Sequence, residues 1–165
     1  MRPQDIVILL KILCYGNKSW YSKTLANDLN LSPAEISSSL NRSVNSGLLD
    51  SDKKKVRKQA LFEFIIYGLQ YVFPQRPGEI ARGLPTALSH PFMKRHFVSE
   101  QQYVWPDAAS DEKGFSMQPL YAGVASAAKK DDKLYLMLAL IDVLRSGKTR
   151  ERKLAITELE KLINQ

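Results

Sequence analysis

LANDLNLSPAEISSSLNRSVNSGLL, residues 25–49, is the stretch on which the reading of this chain turns. Ser32-Pro33-Ala34-Glu35 is a helix start. The Ser32 hydroxyl can accept from the Glu35 amide, and the Glu35 carboxylate can reach back to the Ser32 amide. Proline suits the first helical position, where its missing N–H would have no partner anyway. Ile36, Leu40 and Val44 then recur every four residues as one apolar stripe. Gly47 is a stop, so the spacing predicts a helix over 33–46. Its other face carries Ser37, Ser38, Asn41, Arg42 and Asn45, not the Glu and Lys usual on a solvated helix. Short hydrogen-bonding side chains let a helix lie deep in a major groove, where Asn reads adenine and Arg reads guanine.

Upstream, residues 4–15 read as a buried helix whose run from Ile6 to Leu13 has Lys11 as its one polar position, ended by Gly16-Asn17. Trp20-Tyr21 has room for a very short strand. Ser22 reads as the cap of a short helix with Leu25, Ala26 and Leu29 on one face, and Asn30-Leu31 makes the turn into the next helix. Downstream, Leu48-Leu49-Asp50 precedes Lys53-Lys54-Lys55-Val56-Arg57-Lys58, five cations in six positions. The whole chain of 165 residues carries 24 Lys and Arg against 17 Asp and Glu, or +7. Residues 1–60 hold ten cations and five anions, so +5 of that excess falls in the first third. A cationic run standing alone is usually a solvated loop. One that directly follows a capped, polar-faced helix is placed to meet phosphate, and Lys53, Lys54, Lys55, Arg57 and Lys58 are the expected contacts.

Those residues carry a resemblance. Leu25-Ala26, Leu29, Leu31-Ser32, Ile36, Leu40 and Gly47-Leu48-Leu49 are similar to the core of a bacterial winged helix-turn-helix of the multiple-antibiotic-resistance-regulator (MarR-like) kind. It covers about residues 4–58. It implies that helix 33–46 enters the major groove, that Leu48-Leu49-Asp50 is the first strand of a β-hairpin wing, and that the basic run forms its tip and return strand. Further on, GLPTA at 83–87, YVWP at 103–106 and PLY at 119–121 are similar to stretches of uncharacterised bacterial winged-helix proteins, some encoded beside nucleotidyltransferase-type toxins. That resemblance implies a regulator or antitoxin-like role.

The expected fold is mainly α with a small β component. An N-terminal winged helix-turn-helix (1–58) would precede a mixed α/β extension (59–165) that ends in two helices and serves as scaffold and dimerisation unit. Residues 59–73 read as a helix apolar nearly all round, ended by Pro74. From 74 to 119 prolines and glycines punctuate the chain, leaving 79–82, 102–105 and 115–118 as short strands and 107–114 as an exposed loop. Residues 124–129 make a turn or two of helix; an aspartate, Asp131 or Asp132, caps a helix to 145; 149–163 form the last. That last helix opens on Lys148, Arg150, Arg152 and Lys153, either a second phosphate contact or a solvated turn. Helices 4–15, 59–73 and 132–145 each want burial on more than one face, which predicts a homodimer and two recognition helices about one DNA turn apart.

Several classes are excluded or disfavoured. With one cysteine, Cys14, the chain has no disulfide framework and no Cys-rich zinc site. Cys14 sits in an apolar run and reads as an inert core thiol. His90 and His96, six apart and without acidic neighbours, do not match a zinc spacing. The eight glycines are scattered, no phosphate loop or nucleophile elbow is present, and no cofactor, metal or catalytic constellation is expected. Trp105 before Pro106 reads as a packing anchor. No run reaches the ~18 apolar residues of a membrane span, and the reading is a cytoplasmic protein. The residues point to a non-enzymatic, sequence-specific binder of double-stranded DNA. The alternative is a protein-interaction module in which DNA binding is secondary.

Overall fold

The computed structural model describes all 165 residues, as a mainly helical chain with a small three-stranded sheet. Helix α1 (Pro3–Cys14) is the centre of the N-terminal part, and Ile6 through Leu10 have no exposed surface at all. Burying a Leu, Ile or Val side chain completely stabilises the fold by about 1.5–3 kcal/mol. A helix apolar on every side needs neighbours on every side. Helices α2 (Ser22–Leu29) and α3 (Pro33–Asn45) pack against it, and so does α8 (Asp132–Ser146) from the far end of the chain. The turn between α2 and α3 is made by Asn30, which adopts the left-handed conformation (φ 52°) that asparagine tolerates. Trp20 and Tyr21 form no strand and lead directly into α2.

A short hairpin leaves the end of α3. The Leu48 and Leu49 amides donate to the Ser43 carbonyl at 3.0 and 3.2 Å. Leu49 bridges to Val56, Asp50 donates to the Lys55 carbonyl (3.0 Å) and Arg57 to the Leu48 carbonyl (2.9 Å). The wing expected here is thus reduced to one bridge with a loop at 51–54, in which Lys53 is left-handed (φ 58°). Val56 is the sole β-branched residue of the return limb, and repelling ammonium groups flank it, so little favours a longer strand.

Helix α4 (Lys58–Glu63) runs through a π-helical turn (Phe64–Gly68) into α5 (Leu69–Val72). The expected regular helix over 59–73 therefore carries a bulge. It turns Tyr67 and Tyr71 outward, 72% and 77% exposed, while Leu61, Ile65 and Leu69 stay buried. Strands β1 (Ile80–Pro85), β2 (Tyr103–Pro106) and β3 (Lys113–Ser116) close into a miniature barrel. β1 pairs antiparallel with both others, in registers Leu84↔Trp105 and Ala81↔Gly114, and β2 pairs parallel with β3. So tight a closure needs glycine at two points. A Cβ on Gly83 would strike the Trp105 carbonyl, and one on Gly114 would lie 2.6 Å from the Gln102 carbonyl. Between β1 and β2 lie a 3-10 turn (Ala87–Ser89) and α6 (Pro91–Lys94), neither legible in the proline-rich sequence. Helices α7 (Val124–Ala128) and α9 (Thr149–Asn164) complete the chain.

Two buried polar clusters join distant segments. Lys11 on α1 reaches Asp131 at 2.7 Å and Asp28 at 3.2 Å, and Asp131 also caps α8 by accepting from the Leu134 amide (3.0 Å). Burial alone would lower the Lys11 pKa, but the two carboxylates outweigh it and hold the ammonium above its ordinary value. In the other cluster Asp142 accepts from Thr86 Oγ1 (2.9 Å), Trp105 Nε1 (2.7 Å) and Arg145 (3.0 Å). Arg145 in turn donates to the Phe73 carbonyl at 2.8 Å. Trp105, 1% exposed, is an anchor with its one donor satisfied.

A single cluster of 38 buried hydrophobic residues runs through all these elements. The expected division at residue 58 does not divide the core, because α1 is covered by α8 as well as by its own neighbours. The three apolar helices meet within one chain, and of their faces only the Tyr67–Val72 side is left uncovered. No helix is long and apolar enough to cross a membrane.

Candidate nucleic-acid interface

Helix α3 starts at the expected residue with half of the expected capping box: the Glu35 carboxylate turns to Arg42, Gln4 and Arg2, and not back to the Ser32 amide. Ser32 accepts from the Glu35 amide (3.1 Å) with proline at the first turn, and Gly47, at φ 73°, ends it. Thirteen residues at about 1.5 Å each give a rod of about 20 Å. Ile36 and Leu40 are buried, together with Ser39 and Ser43, whose small side chains pack on the inner face without a hydrogen-bond partner. Ser37, Ser38, Asn41 and Asn45 are exposed and share the outer face. None of the four makes a side-chain hydrogen bond, so the face is free to pair with another molecule.

Arg42 is placed differently from expectation. Its guanidinium grips Asp5 of α1 in a two-point bond, Nε to Oδ2 at 2.9 Å and Nη2 to Oδ1 at 2.7 Å, and Nη2 also reaches Glu35 at 2.7 Å. Asp5 has no exposed surface and also accepts from the Arg2 amide (2.8 Å). Burial would raise the Asp5 pKa, but the Arg42 and Arg2 donors overcome it and hold the carboxyl below its ordinary value. Gln4 and Arg2 contact Glu35 as well, so Arg42 is the hub of a network tying α3 to the start of α1. This corrects its assignment as a base-reading residue: residue 42 falls at the border between the buried and exposed faces of α3. The carboxylate that claims it lies 37 residues away.

The basic run is gathered on the hairpin and the first residue of α4. Lys54, Lys55 and Arg57 are exposed and Lys53 and Lys58 half-buried. Arg57 is spent in part on Asp50 across the hairpin, at 2.9 Å. No carboxylate lies within 4.0 Å of Lys53, Lys54, Lys55 or Lys58. Lys54 Nζ stands over the Trp20 ring, 5.5 Å from its centroid. That pairing is missed by sequence reasoning, since 34 positions separate the two residues. The signal available was Trp20-Tyr21 in an otherwise polar linker.

The cysteine and the two histidines lie outside this surface. Burial pushes the Cys14 thiol up to about 12, with Asp131 adding to the rise, so it stays protonated. His90 is buried, accepts from the Phe92 amide through Nδ1 (3.1 Å) and stacks edge-on against Tyr135; burial lowers its pKa to about 4. His96 is exposed and tilts against Phe92. No three His, Cys, Asp or Glu side chains are grouped as a metal site. No family model, curated protein or solved structure matches this chain.

Proposed function

We propose that the chain is a sequence-specific double-stranded-DNA-binding regulator of winged helix-turn-helix type. Helix α3 would lie in the major groove and the hairpin would act as a short wing on the backbone. The observation that carries this reading is the pairing of an unoccupied Ser/Asn face on a well-capped helix with uncompensated lysines on the hairpin that leaves its end. Ser37, Ser38, Asn41 and Asn45 are the base-reading residues of this proposal. With Arg42 withdrawn, no guanidinium remains on that face, and two asparagines favour adenine at the contacted steps.

Phosphate would be met by Lys53, Lys54, Lys55 and Lys58. A second copy of the chain, placing two α3 helices about one DNA turn apart, is part of the proposal. Four contacts per subunit make eight per dimer, which predicts a log–log salt slope near −7. The test is selection of bound duplexes from a random pool. An enriched motif with adenine at the α3 contacts supports the reading; equal binding of random and selected DNA overturns it. A monomer mass by light scattering at micromolar concentration removes the two-fold assembly. The second reading, a protein-interaction module, draws on Tyr67, Tyr71 and Val72, large side chains exposed on one helical segment. Co-purification of a neighbour-encoded protein that leaves an α3 variant still bound would favour it.

A further inference from the structure

Beside the hairpin lies a cleft of about 680 Å³, bounded by the end of α1, the 16–21 linker and the return limb of the hairpin. Its floor is apolar, from Ile12, Leu13 and Val56. Four of its lining residues are lysines, Lys18, Lys54, Lys55 and Lys58, and no aspartate or glutamate lines it. None of the four lysines has a carboxylate within 4.0 Å anywhere in the chain. Two aromatic rings stand among them: Trp20, half-buried with Lys54 over its face, and Tyr21, 69% exposed. Uncompensated ammonium groups around a concavity cost self-repulsion, which a bound polyanion would relieve. Flat rings on an apolar floor suit a planar heterocycle, and stacking on them tolerates any base.

We propose that this cleft binds a nucleoside di- or triphosphate, its base against Trp20 and Tyr21 and its phosphates on Lys18, Lys54, Lys55 and Lys58. A single carboxylate or phosphate would leave most of that charge unmatched, and a purely apolar ligand would leave all of it. The size falls within the range of small-molecule sites. Gln165 also lines the cleft, no aspartate or glutamate side chain does, and the proposal is for binding alone. The inference does not require the chain to bind DNA. Lys54, Lys55 and Lys58 belong to both surfaces, so nucleotide and duplex would exclude one another if both bind.

The full chain, free of DNA, is titrated calorimetrically with ATP, GTP, adenosine and inorganic tripolyphosphate at about 0.1 M salt, where screening removes loose surface contacts. Saturable one-to-one binding of ATP or GTP is expected, at least tenfold tighter than either adenosine or tripolyphosphate. Lys18→Glu, at an exposed position, should weaken nucleotide about tenfold with no change in the far-ultraviolet dichroism. Trp20→Leu should weaken nucleotide and leave tripolyphosphate unchanged. Absence of saturable ATP or GTP binding to about 1 mM overturns the proposal. So does tripolyphosphate binding as tightly as nucleotide, which would make the cleft a general polyanion surface. A duplex that binds wild type and Lys18→Glu equally, while ATP binds neither, would refute the cleft and leave the DNA reading standing.

Discussion

Arg42→Ala separates two roles that sequence alone cannot tell apart. If Arg42 read a guanine, its loss would relax base preference and leave the fold untouched. In the structure it neutralises Asp5, a carboxylate with no exposed surface. Truncation deletes two charge-assisted bonds, at 2.7 and 2.9 Å, and leaves Asp5 with the Arg2 amide alone. Bonds of this kind contribute about 1.5–3 kcal/mol each. The Arg42 side chain is 24% exposed, so water can fill part of the space it vacates. That places the expected loss near about 3 kcal/mol, the low end for opening a buried ion pair. With a urea slope of about 2 kcal/mol per M, the unfolding midpoint should fall by about 1.5 M.

The pH dependence supplies an independent check. The Asp5 pKa is lowered by folding, so its contribution is present above the ordinary carboxylate range and is lost as pH falls through its folded value. Without Arg42, burial is uncompensated and Asp5 favours the protonated form. The gap between wild type and Arg42→Ala should therefore be widest near pH 7 and narrow toward pH 4. Arg42→Lys should recover part of the stability, since an ammonium restores the charge without the two-point fork. A double-mutant cycle with Asp5→Asn should show coupling above 1 kcal/mol. An Arg42→Ala protein within 0.5 kcal/mol of wild type at pH 7, with altered base preference, would refute the structural role and return Arg42 to the reading face.

Other expectations follow from the same geometry. Asn41→Ala, on the outer face of α3, should move stability by no more than about 0.5 kcal/mol and change the selected DNA motif. Lys54→Ala should weaken binding to all duplexes alike and flatten the salt slope by about 1 per subunit, as filter binding across salt would show. Arg145→Ala removes the guanidinium from the buried Asp142 carboxylate and the bond to the Phe73 carbonyl, and should cost about 3–5 kcal/mol in chemical denaturation. The lowered His90 pKa means that between about 6.5 and about 4 the unfolded chain binds the extra proton. Stability should accordingly drop as the pH is lowered through that window, and His90→Phe should abolish that part of the slope.

Elements whose causes are local were legible in the sequence. The Ser32 cap, Pro33 and Gly47 bracket α3 to within a residue, and the apolar runs locate α1 and α8. Pro and Gly punctuation located β1 and β2 to within three residues, but β3 begins inside the expected 107–114 loop and overlaps the expected strand 115–118 only at Phe115 and Ser116. What closes those strands was not legible. Gly83 and Gly114 look like any loop glycines until Trp105 and Gln102 are brought against them. The wing was over-read, because charge marks where a loop lies without saying how many residues pair.

The site divides along the same line, and the division has a physical basis. Which residues of α3 face outward depends on helical periodicity, so Ser37, Ser38, Asn41 and Asn45 could be placed from sequence. What an inward charge meets depends on tertiary distance. Arg42 meets Asp5 across 37 positions, Lys11 meets Asp131 across 120, and Lys54 meets Trp20 across 34. In the first two, a cation that a helical wheel would leave to solvent is bound to a carboxylate on another element. A basic residue bordering an apolar stripe is therefore weak evidence of a ligand contact until nearby acids are accounted for. By that criterion Lys18, Lys54, Lys55 and Lys58, which no carboxylate meets, are stronger candidates for anion binding than Arg42 ever was. Lys18, outside the run that drew attention, stands on equal terms with the other three.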